Sequence, residues 1–320
     1  MTEIARTWIT LQGKRFEIPA VRLGNLTLIS SGRLVRIARI MDEEWYEKDP
    51  DAEPGYMIEQ IKGSGLGADL FTFSQDIPDT NPRHPYHLEC GNLAVVHIES
   101  YDDWWTHKIT QVSRKNVRRA AKRGVSCRLT AFDEELLSGI VRLYNESPVR
   151  QGRKFWHYGK NVNSARDENS TFLDRADFIG AYYGDELIGF LKIVYVGTCG
   201  KIMQILSSIK HQDKRPTNAL IAKAVEVCAE RGIEYFVYGN YVYDSNVNSP
   251  LIELKRRMGF EMMPFPTYYV PLSDWGKVAL KLNLNHGIKG VIPRSLAQRL
   301  REVRARWYSS HIRQPGGAEG

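Results

Sequence analysis

The sequence predicts an α/β fold of the α+β kind, a sheet flanked by helices over roughly half the chain, preceded by a smaller β-rich part. Three observations predict it. Strand-length apolar runs and helix-length periodic runs succeed one another between Val125 and Val270. The first hundred residues instead alternate extended runs with turn-forming pairs. Between these patterns, residues 201–232 join a strand to a helix through a basic loop, the arrangement around which the remaining elements are ordered. At 320 residues the chain exceeds the usual range of one hydrophobic core, so two domains, or one with appendages, are expected.

In the N-terminal part, extended runs at 15–18, 26–29 and 34–40 are separated by Gln12-Gly13 and Ser31-Gly32, which predicts hairpins. An acidic loop at 42–53 follows, then a glycine-rich piece at 62–67. That piece lacks the preceding strand and the Lys-Ser/Thr end of a phosphate cradle, so it reads as a flexible loop. His84, His87 and Cys90 are evenly spaced, but the neighbouring prolines disturb any helix that would align them, and no metal is expected. Residues 101–123 predict one helix. Ser100 or Asp102 would cap it, Trp105, Ile109, Val112 and Ala120 would form its apolar stripe, and Gly124 would stop it. Its other faces carry Lys108, Arg114, Lys115, Arg118, Arg119, Lys122 and Arg123, with no acid between Trp104 and Thr130, and so attract phosphate as nucleic acid or cofactor.

A strand at 125–129 and a helix at 133–144 come next, then an irregular stretch, 147–160, in which Arg150, Arg153, Lys154, His157 and Lys160 alternate with Phe155, Trp156 and Tyr158. Such a mixture suits stacking on a ring and binding an anion. Strands at 178–183 and 187–196 are split by Gly184-Asp185, and a further strand spans 202–208. The loop after it is basic, and Pro216 suits the first helical turn that follows. Ala219, Leu220, Ala222, Val225, Val227 and Ala229 give that helix a broad apolar face, ended by Gly232. Helix-start amides have no internal partner and the dipole is positive there, so Gln212, Lys214, Arg215, Thr217, Asn218 and Ala219 form a candidate anion site. A strand at 235–238, a helix at 250–258 and extended segments at 260–270 complete the series.

Residues 275–307 hold eight basic residues, Lys277, Lys281, Lys289, Arg294, Arg299, Arg301, Arg304 and Arg306, against Glu302 alone. Leu280, Leu284, Ile288, Leu296 and Leu300 give these segments an apolar side, so helices docked on the core with a solvated basic face are expected ahead of the alternatives, RNA or an anionic membrane surface, with the final GGAEG disordered. Cys90, Cys127, Cys199 and Cys228 show no paired spacing and read as reduced core residues. With no leader-like N-terminal segment and no apolar stretch near about 18 residues, the chain is expected to be cytoplasmic.

The element order strand, helix, helix, three strands, helix, strand, helix, two strands resembles the GNAT acyltransferase superfamily. Residues 115–125 (KNVRRAAKRGV), the paired glycine-bounded strands and residues 251–260 (LIELKRRMGF) look like the GNAT-like half of Fem-type proteins, which transfer aminoacyl groups, and of related acyltransferases found beside polysaccharide genes. The resemblance implies a mixed, mainly antiparallel sheet and three segments: a β-rich domain over 1–100, a GNAT-like domain over 101–272 and a basic helical extension over 273–320. It also implies acyl transfer from acyl-CoA to the amine of a small anionic acceptor, an amino sugar or amino-acid derivative, with aminoacyl-tRNA as the alternative donor and a non-catalytic binding module as the alternative from another class. In GNAT enzymes the pyrophosphate loop reads Gln/Arg-x-x-Gly-x-Gly/Ala. Gln212 fits, while Arg215 and Thr217 stand at the glycine positions.

Roles follow from the same resemblance. Backbone amides of the fourth GNAT strand, here 204–208, would polarise the donor carbonyl, and Tyr241 or Tyr243, after the fifth strand, would protonate the leaving group. His211, whose ordinary pKa lies near neutrality, is a candidate base. Arg150, Gln151, Arg153, His157, Tyr158 and Lys160 fall where the helix-helix loop covers the acceptor.

Overall fold

The computed structural model describes residues 4–11, 14–46, 53–243 and 249–287. In chain order the elements are β1 (Ala5–Leu11), β2 (Lys14–Leu23), β3 (Leu26–Ser31), β4 (Ile37–Ile40), α1 (Pro54–Ser64), β5 (Leu70–Ser74) and β6 (His87–His97). The single turn α2 (Tyr101–Asp103) leads to α3 (Gln111–Lys122), β7 (Val125–Thr130), α4 (Glu134–Tyr144), a hairpin of β8 (Val149–Arg150) and β9 (Arg153–Lys154), and α5 (Val162–Asn169). Then come β10 (Ala176–Tyr183), β11 (Glu186–Val196), β12 (Cys199–Ser207), α6 (Pro216–Glu230), β13 (Tyr235–Asn240), α7 (Pro250–Arg257), β14 (Glu261–Pro271) and α8 (Asp274–Lys281). Among the described residues no helix is long and apolar enough to cross a membrane.

Two compact units result, one of residues 1–91, 149–156 and 265–320, the other of 92–148 and 157–264. The chain passes between them at 91/92, 148/149, 156/157 and 264/265, where the sequence reading put its breaks at 100/101 and 272/273. In the second unit the strand order is β7-β10-β11-β12-β13-β6, antiparallel except for the parallel pair of β12 and β13. This is the mixed, mainly antiparallel sheet expected, with α6 packed against it. Leu220, Ile221, Ala224 and Val225 of α6 share one core cluster with Ile179, Ala181, Ile188 and Ile193 of the sheet. In the first unit the order is β1-β2-β3-β4-β5-β14, antiparallel except for β4 and β5. Its core joins Met57, Ile58 and Ile61 of α1 to Leu28, Ala38, Phe71 and Tyr268.

The two orders are the same. Each unit has a three-strand antiparallel meander, a helix that crosses over with proline in its first turn, and a strand returning parallel to the third over three residue pairs. The sixth strand comes from β14, late in the chain, for the first unit and from β6, before the rest, for the second.

Three sequence expectations are corrected. Residues 54–64, which run into the glycine-rich piece, form helix α1: Met57, Ile58 and Ile61 make a buried stripe, and Gly65, at φ 72°, ends the helix in the left-handed conformation that glycine adopts freely. The helix expected over 101–123 breaks at Ile109, which is extended, and restarts because Thr110 caps α3 by accepting from the Ser113 amide. Val112, placed on the apolar stripe, is exposed, because the break re-phases the helix. Cys90 is exposed on β6, unlike the buried Cys199 and Cys228. The Gln12-Gly13 turn and the basic residues from Lys289 onward lie outside the described residues.

Gly139 on α4 tests the packing of that helix on β11. A Cβ there would stand 2.5 Å from Leu187 Cδ2 and 2.9 Å from Leu187 Cβ. Gly139→Ala, which ordinarily favours a helix, is therefore expected to destabilise the protein by about 1 to 3 kcal/mol, read as a lower denaturant midpoint in urea unfolding.

Candidate functional site

β12 and β13 meet at Cys199↔Tyr235, Gly200↔Phe236 and Lys201↔Val237, and then part. On its other side β12 stays paired with β11 up to Gly189↔Ser207. The register between them slips beside Lys192, so Met203 is an extra residue, a bulge that turns β12 away from β13. Because amides alternate in direction along a strand, every second N–H of 202–207 faces the side that β13 has left. An open wedge lined by backbone donors can polarise a carbonyl.

The loop from β12 to α6 forms one lip of the wedge. Glu146, just after α4, accepts from Ser208 Oγ at 2.7 Å and from the amides of Ile209 and Lys210, each at 2.8 Å, pinning the chain as it leaves β12. Gln212–Lys214 is a 3-10 turn. The amides of Gln212, Lys214 and Arg215 donate to carbonyls within the loop, so they are not aimed outward as a phosphate cradle requires. Arg215 takes the left-handed conformation, φ 60° and ψ 41°, at one of the two positions where GNAT loops carry glycine. That geometry costs an L-residue about 1 to 2 kcal/mol. Thr217 Oγ1 lies 2.8 Å from Ser207 Oγ, tying the start of α6 to the end of β12, and Asn218 is buried against Met258 Sδ. Lys214 lies over the Tyr183 ring, and Arg123 donates to Asp213 at 2.6 Å, while Arg215 is exposed.

A buried polar cluster lies against the middle of β12, on the side of α4 and α5. Gln204 Nε2 donates to the Tyr144 hydroxyl at 2.8 Å, and Asn169 Nδ2 donates to the same hydroxyl at 3.2 Å. Burial pushes the Tyr144 phenol up to about 12. The Tyr144 ring stacks on His157, with centroids 4.3 Å apart. His157 Nδ1 is 3.1 Å from Glu168 Oε2, and Glu168 also pairs with Lys160. Burial works to raise the Glu168 carboxyl, but its bonds from His157 and Lys160 outweigh this and hold it below the usual range. Lys192, cross-strand from Gln204, donates to the carbonyls of Asn169 at 2.8 Å and Thr171 at 2.5 Å, and burial pulls its ammonium down to about 8.

β13 forms the other lip. Lys255, fully buried, donates to the Asn240 carbonyl at 2.6 Å and lies over the rings of Tyr238 and Tyr243, at 4.4 and 4.8 Å. Burial brings it down to about 8 as well. The Tyr241 amide donates to the Asn92 carbonyl at 2.9 Å and the Val242 amide to Asn92 Oδ1 at 2.6 Å.

Of the residues predicted from sequence, the structure gathers Gln212, Lys214, Arg215, Thr217, Asn218 and Ala219 at the start of α6, and His157 and Lys160 at Glu168. Tyr241 is partly buried against the core, and Tyr243 and Tyr158 are exposed. His211 is buried, its Nε2 3.4 Å from Glu186 Oε2 and its ring beside Tyr183, so its contacts lie at the β10–β11 turn. Arg150, Gln151 and Arg153 belong to the first unit, on the β8–β9 hairpin, whose tight turn is made by Gln151 at φ 51° and Gly152 at φ 69°. Sequence reasoning missed Tyr144, Glu146, Glu168, Lys192, Gln204 and Lys255. Only Lys192, a charge inside an otherwise apolar strand, carried a signal. The first unit contains a cavity of about 440 Å³ where β4, β5 and α1 converge, bordered by Glu43, Glu53, Asp76 and Asp79. Arg83, which pairs with Asp79, and His84 line it too, so the border is acidic only on balance.

No protein-family model matches the chain, and no curated protein matches its sequence. Solved structures do resemble it. FemX superposes with a TM-score of 0.58 at 11% identity, covering 87% of this chain and 90% of that one. The C-terminal DUF2156 domain of a protein assigned as a lysylphosphatidylglycerol synthetase from Agrobacterium fabrum gives 0.54 at 13%, covering 82% and 86%. L-PGS from Bacillus licheniformis gives 0.53 at 17%, covering 77% and 81%. The fold is therefore GNAT-like, of the Fem-like kind.

Two outcomes are expected. Because Lys192 has a folded value near 8, below its free value of 10.5, the unfolded chain holds more protons between those limits, and the unfolding free energy rises with pH across that window. From pH 7.5 to 9.5, urea unfolding should show wild type gaining about 2 kcal/mol over Lys192→Met. At Arg215, replacement by glycine should leave the protein about 1 kcal/mol more stable than replacement by alanine, because only glycine relieves the left-handed backbone.

Proposed function

We propose that the protein is an acyltransferase that moves an acyl group from an anionic carrier to the amine of a small acceptor, in the opening between β12 and β13. The parting of these strands over the start of α6 carries the reading. The amine attacks the donor carbonyl, the developing oxyanion takes hydrogen bonds from amides of β12, and the carrier leaves. The basic start of α6, with Lys214 and Arg215, offers the carrier's phosphates a positive field. The acceptor in this reading is an amino sugar or amino-acid derivative bearing a carboxylate or phosphate.

Aminoacyl-tRNA is the donor we favour. The loop amides that would cradle a pyrophosphate are engaged within the loop. On α3, Lys115, Arg118, Arg119 and Lys122 are exposed, and among the described residues no acid pairs with them. A long polyanion suits such a face better than one coenzyme does. One of the similar structures is named for lysylphosphatidylglycerol, an aminoacyl ester, which accords with this donor class. Acyl-CoA is the second reading, favoured by the two cations at the helix start. Calorimetry against acetyl-CoA and longer acyl-CoAs, beside tRNA binding between 50 and 200 mM salt, separates them. The tRNA reading expects no heat with any acyl-CoA and a steep salt dependence that Arg119→Glu reduces by about one unit of log-log slope. If acyl-CoA binds instead, Arg215→Glu should weaken it by about 1 to 3 kcal/mol. Binding of neither carrier would leave a GNAT-shaped module without catalysis.

A further inference from the structure

Amide formation at the β12–β13 opening requires a group that takes a proton from the attacking amine. We infer that His157 is that base and that Glu168 positions it, an assignment that rests on the acyl-transfer reading of the opening. Geometry fixes which nitrogen carries the hydrogen. A carboxylate only accepts, so the imidazole nitrogen 3.1 Å from Glu168 Oε2, Nδ1, carries the hydrogen. Nε2 then holds the lone pair and accepts from the Gln204 amide nitrogen in a long contact of 3.4 Å, which an incoming amine displaces. Gln204 stands on β12 one residue past the bulge at Met203, on the strand whose amides would hold the donor carbonyl, and it is half-buried where His157 is buried.

The surroundings set the base's orientation. Tyr144 of α4 stacks on the ring at an interplanar angle of 29°, Lys160 pairs with the far oxygen of Glu168, and the Lys192 ammonium of β11 is turned onto the Asn169 and Thr171 carbonyls. Glu168 touches the imidazole directly and favours its charged form, while Lys160 and Lys192 oppose that form. Three elements, α4, α5 and β12, thus touch one ring, more than is needed to pin a loop.

The step balances without a further reagent. The neutral amine nitrogen bonds to the acyl carbon, the carbonyl pair moves onto oxygen, and the proton on nitrogen passes to Nε2, directly or through one water. On collapse, the bond from acyl carbon to the carrier's oxygen or sulfur breaks with its electron pair. The imidazolium returns its proton to that atom and His157 is neutral again.

The test joins activity to a direct view of the ring. With acetyl-CoA and a mixed aminoacyl-tRNA pool as donors and a panel of amino sugars and amino acids as acceptors, His157→Gln should lower kcat/KM about 100-fold or more with KM little changed. The near-isosteric Glu168→Gln should move the acidic limb of the kcat/KM profile to lower pH, since the carboxylate that favoured the imidazolium is gone. Nitrogen-15 NMR of wild type above that limb should place the hydrogen on Nδ1. An active wild type whose His157→Gln variant stays within threefold overturns the assignment, as does an unmoved limb in Glu168→Gln or a hydrogen found on Nε2. Should His157→Gln not fold, the limb and the tautomer decide. If wild type turns over neither donor, the acyl-transfer reading itself fails and the assignment falls with it, an outcome distinct from an active enzyme indifferent to His157.

Discussion

The second unit depends on a parallel strand pair that is allowed to meet over three residues and no further. An open sheet edge exposes backbone groups that must find other partners, and the chain braces the gap with polar side chains. Glu146 collects three donors from the turn that leaves β12. Lys255 holds the Asn240 carbonyl at the end of β13, and Asn92 holds the two residues beyond it. The Thr217–Ser207 contact ties α6 to β12. Each brace acts on main chain or on a helix start, so it fixes where the amides point and not merely what packs beside them. Arg215 fits this account, since a left-handed non-glycine residue persists only where the surroundings over-determine it.

The first unit repeats the strand order but not the charge. Its parallel pair and its proline-started helix border a cavity edged by Glu43, Glu53, Asp76 and Asp79, whereas the corresponding place in the second unit presents Lys214 and Arg215. One topology thus carries different charge balances at the two places. The fold brings the wedge; the side chains decide what enters it.

Much of the second unit was legible in the sequence because its elements announce themselves locally. Asp133 caps α4, Gly184 turns β10 into β11, and Pro216 and Gly232 bracket α6, all within a residue or two of where pattern and turn chemistry put them. The breaks came where local signals compete. The glycines of 62–67 suggested a loop, yet the apolar stripe of Met57, Ile58 and Ile61 outweighed them up to Ser64. Basic residues run unbroken through 108–123, but the β-branched Ile109-Thr110 pair interrupts the helix that charge alone would extend. The repeat of the two strand orders was illegible for another reason: its sixth strand lies before one unit and after the other, so no fixed period exists to be seen. The cluster at Gln204 shares that character. Tyr144, His157, Glu168, Lys192 and Gln204 come from three helical or loop segments and two strands, and only the sheet's pairing brings them together.

A core that needed only stability would have filled that place with apolar side chains. Buried polar networks gain little net energy when satisfied and cost much when broken, so their use is best explained by what orientation they impose. Here the two buried lysines donate to backbone carbonyls rather than to carboxylates, at the end of α5 and at the end of β13. A carbonyl partner leaves the ammonium's charge uncancelled, which is why burial alone draws both down to about 8. It also fixes main chain at the points where the α4–α5 side and the β13 lip adjoin the wedge. Apolar replacements could preserve the volume of either site, but they would release those carbonyls, and with them the aim of the residues that the opening holds in place.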